Sequence, residues 1–348
     1  MKNYTLLVLI SLSFLFGCEE PYPNIEIKAS NTSEESKIKK QSVVFITGID
    51  EDEDGNNYYA NATAHFENKK MKIVKNIFSL EEIMSWLISN NNRGQYNEIH
   101  IVSHSNAWRG MSLRVNKNGP RVTKKTLTDV LEKKILPKLD ERVDKKTKII
   151  FHSCGLGKNE TLLQLLKTIF SSEQIPQIYA SPHFNIFGGR YASHYLANPY
   201  YTYYPTAQSK GPKSLAKEIK NTYPNIKMNW LSAIKSRGET KIGEAYSYRF
   251  NIPVDWKISF EKEEDIPDLY NREDIMDWIV DNEAISLTLY ELEIPIEKFR
   301  WTSNLSGKIL EIKGKTTIVC VLKPITNCND TSEYEILSLD NSNLYTCL

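Results

Sequence analysis

With 348 residues the chain has room for about two domains of roughly 150 residues each. Hydrophobic residues make up 41%, charged residues 25% and aromatic residues 11%, which excludes a collagen-like, low-complexity or wholly disordered polypeptide. Lysine and arginine total 44 against 43 acidic residues, so no global basic field is present and no nucleic-acid partner is expected.

The one long apolar run lies at the N-terminus. Met1-Lys2-Asn3 is a short positive start, and the apolar stretch Thr5 to Phe16 has the length of a secretory signal rather than of a membrane span. It ends Leu15-Phe16-Gly17-Cys18, which resembles the bacterial lipoprotein box. That resemblance implies a signal peptide over residues 1–17 and lipidation at Cys18. It also implies residence in a bacterial cell envelope, at the outer membrane, held by the lipid anchor only. Glu19 and Glu20 resemble the acidic start of Bacteroidota surface lipoproteins. Residues 18–41 carry Pro21, Pro23, serines and charges without an apolar period, the composition of a flexible tether. Removal of residues 1–17 takes away Lys2 and leaves 43 charges of each sign.

From Ser42 the pattern becomes that of a folded domain, expected over 42–237. The apolar, β-branched run Gln41 to Gly48, closed by its glycine, reads as a strand buried on both faces. Ser79 as N-cap predicts a helix over about Leu80 to Asn90. A second buried strand follows at Glu98 to Ser103, then a hairpin around Asn116 to Gly119 and a helix over Thr126 to Leu136. Lys148 to Phe151 is a third strand, Glu160 to Phe170 a helix, and Gln177 to Ala180 a fourth strand. Strands alternating with helices imply a mainly parallel sheet covered on both faces, an α/β domain. Tyr200, Tyr201, Tyr203 and Tyr204 read as a polar loop. Beyond Gly238 a β-rich C-terminal module over 238–348 is expected, with strands at Ala245 to Phe250, Trp256 to Phe260, Ile285 to Leu292 and Thr316 to Leu322, and one helix near Arg272 to Val280.

In parallel sheets, functional groups gather past the carboxyl ends of the strands. His104 lies two residues past its strand and Cys154 three residues past its own. A thiol beside an imidazole gives a nucleophile at neutral pH, because the imidazole takes the proton and the thiolate attacks. Cys154 stands just before a predicted helix, whose N-terminal partial charge would favour the thiolate, and Gly155 and Gly157 would leave N–H groups accessible as an oxyanion hole.

These features resemble the caspase-like (clan CD) cysteine peptidases, most nearly their CHAT and clostripain-type members. The matching segments are Ile101-Val102-Ser103-His104 and Phe151-His152-Ser153-Cys154-Gly155. The histidine precedes the cysteine by 50 residues, close to the spacing of about 50 known for caspases. The resemblance covers about Ser42 to Gly189. It implies a three-layer caspase-like sandwich, a hydrolase acting on protein or peptide substrates with no cofactor required, His104 as general base, Cys154 as nucleophile, and backbone groups of Ser105 and Gly155 at the oxyanion. Ser105 departs from the pattern, standing where the family carries glycine, and the φ > 0 conformations open to glycine are costly for it.

Three other readings remain open. His104 and Cys154 can be a strand-end histidine and a small buried thiol in a catalytically silent binding or scaffold protein. Ser103-His-Ser105-Asn-Ala107 also resembles a nucleophile elbow, which makes Ser105 the nucleophile of a serine esterase or lipase. Asp50, Asp52 and Asp54, followed by Gly55, match the opening of a calcium loop without its distal glutamate, so a Ca2+ site is a further candidate. His152 reads as structural. Export permits disulfides, and Cys328 and Cys347, in polar surroundings, are the pair expected to staple the tail.

Overall fold

The order of elements follows the expected alternation of strand and helix for the first half of the chain and then departs from it. The computed structural model describes residues 41–50, 57–90, 95–106, 108 and 110–348. In chain order these form β1 (Gln41–Ile46), α1 (Tyr58–Asn68), β2 (Lys72–Val74), α2 (Leu80–Ser89), β3 (Tyr96–Val102), β4 (Ser105–Asn106), β5 (Gly110–Met111), α3 (Lys124–Lys133), β6 (Lys148–His152), α4 (Glu160–Phe170) and β7 (Gln177–Ala180). Next come β8 (Phe184–Phe187), β9 (His194–Pro205), α5 (Pro212–Thr222), α6 (Trp230–Lys235), β10 (Tyr246–Ser259), α7 (Arg272–Asp281), α8 (Glu283–Leu292), β11 (Arg300–Ser306), β12 (Ile309–Pro324) and β13 (Thr346–Cys347). The lipidation residue Cys18, the tether to residue 40, and Asp52 and Asp54 of the acidic loop lie outside the described residues.

The fold is mixed α/β. Its first sheet has the order β13-β7-β6-β3-β1-β2, with every neighbour parallel except the short β13. The central strands carry no polar alternation because both faces are covered: Val43, Val44, Phe45, Ile99, Ile101, Val102, Ile149 and Phe151 are completely buried. On one face α2, α3 and α4 close the main core, with Leu80, Ile83, Leu87, Leu127, Leu163 and Leu166 packed on the sheet. On the other face α1 lays Tyr58, Tyr59, Ala62 and Phe66 against Val44, Ile46 and Val102.

A second, antiparallel sheet has the order β10-β12-β9-β8, with β11 on β12. It departs from the expected division at Gly238, since β8 and β9 belong to it and it begins at Phe184. The four tyrosines expected in a loop lie in β9, whose partner is β12. The two strands expected on either side of residue 253 are the single strand β10, paired with β12 along its whole length from Tyr246 to Ser259. The chain's last strand returns to the first sheet, where Thr346 and Cys347 pair with Ala180 and Tyr179. The described residues from Gln41 to Leu348 accordingly fall in a single compact unit.

Ile285 to Leu292, expected as a strand, is helical. Ile285, Leu287 and Leu289 mimic strand alternation, but Ile285 and Leu289 are buried while Leu287 is 56% exposed, the i, i+4 pattern of one helix face. The Asn282 side chain accepts from the Ile285 N–H at 3.2 Å and so caps the first turn.

Candidate active site

Because β3 and β6 are adjacent and parallel, with Val102 opposite His152, the loops carrying His104 and Cys154 emerge side by side. The two loops are joined directly, since Ser105 Oγ–H donates to the Cys154 carbonyl at 2.6 Å. That bond engages the hydroxyl that the esterase reading needs as nucleophile. The chain after Ser105 turns into the short β4–β5 hairpin and not into a helix, unlike a nucleophile elbow.

The side chains of the dyad face different neighbours. The His104 imidazole stacks on Tyr58 with ring centroids 4.3 Å apart and meets Tyr59 edge-on at 4.8 Å. Its backbone N–H donates to Tyr59 Oη at 3.1 Å, and that hydroxyl also bonds Ser112 Oγ at 3.0 Å. Tyr58 Oη–H donates to the His152 carbonyl at 2.7 Å. Burial lowers the His104 pKa to about 4, opposed by the Asp50 carboxylate and reinforced by the Arg121 guanidinium, so the ring is neutral at pH 7 and retains a lone pair for a proton.

His104 forms part of the wall of an open cavity of about 660 Å3, together with Thr47 to Asp50, Tyr59, Ser112 and the cations Arg114, Lys117 and Arg121. Gly48 is required there, as a Cβ would stand 2.2–2.5 Å from the Tyr59 ring. Asp50, the described member of the proposed calcium loop, accepts the N–H groups of Tyr59 at 3.0 Å and Ala60 at 2.9 Å and thus satisfies the first turn of α1. Among the described residues no group of three His, Cys, Asp or Glu side chains converges to hold a metal ion.

Cys154 packs against the buried cluster of Phe184, Tyr195, Ala197, Cys320 and Leu322, and its thiol donates weakly to the Asn185 carbonyl at 3.7 Å. Burial pushes the thiol up to about 12, so the resting form is the thiol. Two sequence expectations are corrected here. First, α4 spans Glu160–Phe170 as expected but does not directly follow Cys154: a 3₁₀ turn (Leu156–Lys158) intervenes and Asn159 caps the helix, which places the helix N-terminus beyond the thiol. Second, the Gly155 N–H, expected to face an oxyanion, donates to the His183 carbonyl at 3.0 Å. Gly155 itself adopts φ +69°, which suits glycine, and Gly157 packs so closely on the 180–182 backbone that a Cβ would lie 2.5–2.6 Å from Pro182 N, Ala180 O and Ser181 C.

His152 is buried as expected of a structural residue; its carbonyl accepts from Ser103 N–H and Tyr58 Oη–H. Cys328 and Cys347 are both free, exposed thiols, which corrects the expected staple: backbone pairing of Cys347 with Tyr179 holds the tail instead. Sequence reading missed Tyr58, Tyr59 and Asn185. The first two stand at the start of a helix immediately after the acidic loop, and Asn185 is a polar residue inside an aromatic strand, 1% exposed, a combination that marks a buried hydrogen-bonding role. In comparison with known proteins, the chain matches no family model and no curated relative.

Proposed function

We propose that this is an exported, lipid-anchored cysteine endopeptidase of the caspase-like type, with His104 as general base and Cys154 as nucleophile. The observation that carries the reading is the placement of the two residues just past the carboxyl ends of neighbouring parallel strands, on loops bonded to each other through Ser105. In this reading a peptide lies over the two loops, and a neutral His104 accepts the thiol proton as sulfur attacks the scissile carbonyl. The amine leaves with that proton, and water hydrolyses the thioester. The resting thiol and imidazole are both neutral, so the proton moves during attack and not before it. The caspase-like sandwich belongs to the same proposal, supported by the 2-1-3-6-7 order of the parallel strands.

A second reading, a catalytically silent binding protein, is favoured by one observation: the thiol and the Gly155 N–H are both engaged by carbonyls of residues 183–185. Alkylation of the full-length protein by iodoacetamide, with the labelled thiols mapped by mass spectrometry, separates the two. The peptidase reading expects labelling of Cys154 that slows in His104→Ala. Equal rates in the two proteins would support the silent one.

A further inference from the structure

Four of the six histidines, far apart in sequence, meet beneath the Cys154 loop. His65 comes from α1, His100 from β3, His152 from β6 and His194 from β9. The ring centroids of His100 and His152 are 5.2 Å apart, those of His65 and His194 5.2 Å, and those of His152 and His194 5.5 Å. Phe66 and Phe187 fill the space between them, with Phe187 stacked on His194 at 4.2 Å. His65, His100 and His152 are 7%, 9% and 5% exposed.

Hydrogen bonds fix the tautomers. His100 Nε2–H donates to Glu98 Oε2 at 3.4 Å, so neutral His100 accepts at Nδ1 from His152 Nε2–H at 2.9 Å. That leaves His152 Nδ1 as a buried lone pair without a partner among the described residues; His65 Nε2 is likewise unpartnered, its Nδ1 being bonded to Ser193 Oγ at 2.9 Å. His194 Nε2–H donates to Asn185 Oδ1 at 3.2 Å, an assignment forced by Asn185 Nδ2–H, which donates to the Ser153 carbonyl at 3.4 Å. The bonds of His152, His194 and His65 are thus made by neutral rings, and His152 Nδ1 and His65 Nε2 are the buried nitrogens left without a partner among the described residues. An added proton enters a buried, aromatic site beside the other three rings. The charged groups that act on the cluster among the described residues are Lys69, which follows α1, and the carboxylate Glu98 of β3, which is bonded to His100 and also faces Lys148. Lys69 opposes an added positive charge, and one carboxylate already shared in this way does not compensate it.

The cluster grips the segment that occupies the dyad loop. Residues 181–187 hold that loop at four points: Ser181 O with Gly157 N–H (2.9 Å), His183 O with Gly155 N–H (3.0 Å), Asn185 Nδ2–H with Ser153 O (3.4 Å), and Asn185 O with the Cys154 thiol (3.7 Å). Asn185 is tied in turn to His194, and Phe187 is stacked on the same ring. We propose that the four histidines form an acid-sensitive clamp on residues 181–187, and that protonation of the cluster releases this segment and frees the Cys154 thiol and the Gly155 N–H together. This rests on Cys154 being the functional thiol and assigns the site its regulation: closed near neutral pH, open in mildly acidic surroundings. Coupling to proton uptake makes opening more favourable by about tenfold per pH unit for each proton taken up.

Three thiols of the chain provide the test. In the full-length protein, 2,2′-dithiodipyridine, a disulfide that stays reactive in acid, is applied between about pH 7.5 and pH 5, the range in which histidines titrate, and each cysteine is mapped by mass spectrometry. Exposed Cys328 is the reference, and Cys320, fully buried between β10 and β9, reports global unfolding. The clamp predicts that the Cys154/Cys328 ratio rises about tenfold or more across this range while Cys320 stays silent. His194→Gln retains a donor towards Asn185 and His65→Asn a group towards Ser193, yet neither new side chain titrates, so each variant flattens the rise. A flat wild-type ratio, a joint rise of Cys154 and Cys320, or an undiminished rise in both variants would overturn the clamp. The readout is accessibility, so the clamp stands or falls independently of His104→Ala and of peptide cleavage.

Discussion

Removing a single hydroxyl, in Tyr59→Phe, tests how the His104 loop is held. Tyr59 Oη accepts the His104 N–H at 3.1 Å and bonds Ser112 Oγ at 3.0 Å. Without it Ser112 keeps Ser103 Oγ at 3.0 Å, but the His104 N–H loses the acceptor described for it at a part-buried position. An orphaned buried donor costs about 1–3 kcal/mol, whereas loss of an ordinary hydrogen bond costs about 0.5–1.5 kcal/mol. Tyr58→Phe is the matched control: it deletes a bond to the His152 carbonyl, which keeps the Ser103 N–H at 3.3 Å, so only the smaller figure applies. Urea unfolding of the two variants and the parent, compared by midpoint at unchanged slope, reads the difference. Tyr59→Phe is expected to be the more destabilised. A reversed order, or a Tyr59→Phe cost below about 0.5 kcal/mol, would refute the assignment of that hydroxyl as the anchor of the His104 loop.

Other consequences follow from the same contacts. Gly157→Ala drives a Cβ into the backbone of Ala180 to Pro182, which cannot swing aside, so the cost should reach or exceed the 1–3 kcal/mol usual for overpacking, measured by thermal unfolding. Cys347→Ser and Cys328→Ser should leave the proteolytic resistance of the tail unchanged under oxidising conditions, because both thiols are free; loosening in either variant would revive the staple. Acid should destabilise the whole fold. Burial lowers His65 and His104 to about 4 and holds His152 and His194 well below the usual 6.5. Above pH 6.5 both folded and unfolded chains carry these rings neutral, so they contribute nothing to pH dependence. Below 6.5 the unfolded chain binds protons that the folded chain refuses, and stability falls towards pH 4 by about 1.4 kcal/mol per pH unit for each ring kept neutral. A urea midpoint that is flat between pH 6.5 and 4.5 would contradict the buried cluster.

The sequence made the parallel sheet legible because its strands are short, uninterrupted runs such as Val43 to Ile46 and Ile149 to Phe151, which only a doubly covered sheet needs. Strand ends are then visible too, and they placed His104 and Cys154 each just past its own strand, while the adjacency of the two loops comes from the pairing of β3 with β6. The second sheet was harder to read. In β9 Tyr200, Tyr201 and Tyr203 are half-buried between aromatic neighbours, so a strand looks polar, and in α8 the residues 285, 287 and 289 alternate like a strand while the helix buries 285 and 289. The histidine cluster could not be read at all: each ring is a lone polar residue in its own segment, and only the pairing of β3 with β6 and the packing of α1 and β8–β9 on that face bring them together. The state of the thiol was likewise out of reach, since it depends on residues 181–187 folding back over the Cys154 loop and not on the residues beside it in sequence.

The central claim is that His104 and Cys154 together cleave peptide bonds. The most direct measurement is incubation of a diverse peptide mixture with the full-length protein, Cys154→Ala and His104→Ala, at neutral and mildly acidic pH, with new termini identified by mass spectrometry. The account predicts cleavage by the parent protein and its loss in both variants while their urea midpoints show them folded. Absence of cleavage at either pH, or cleavage that persists in Cys154→Ala, would contradict it.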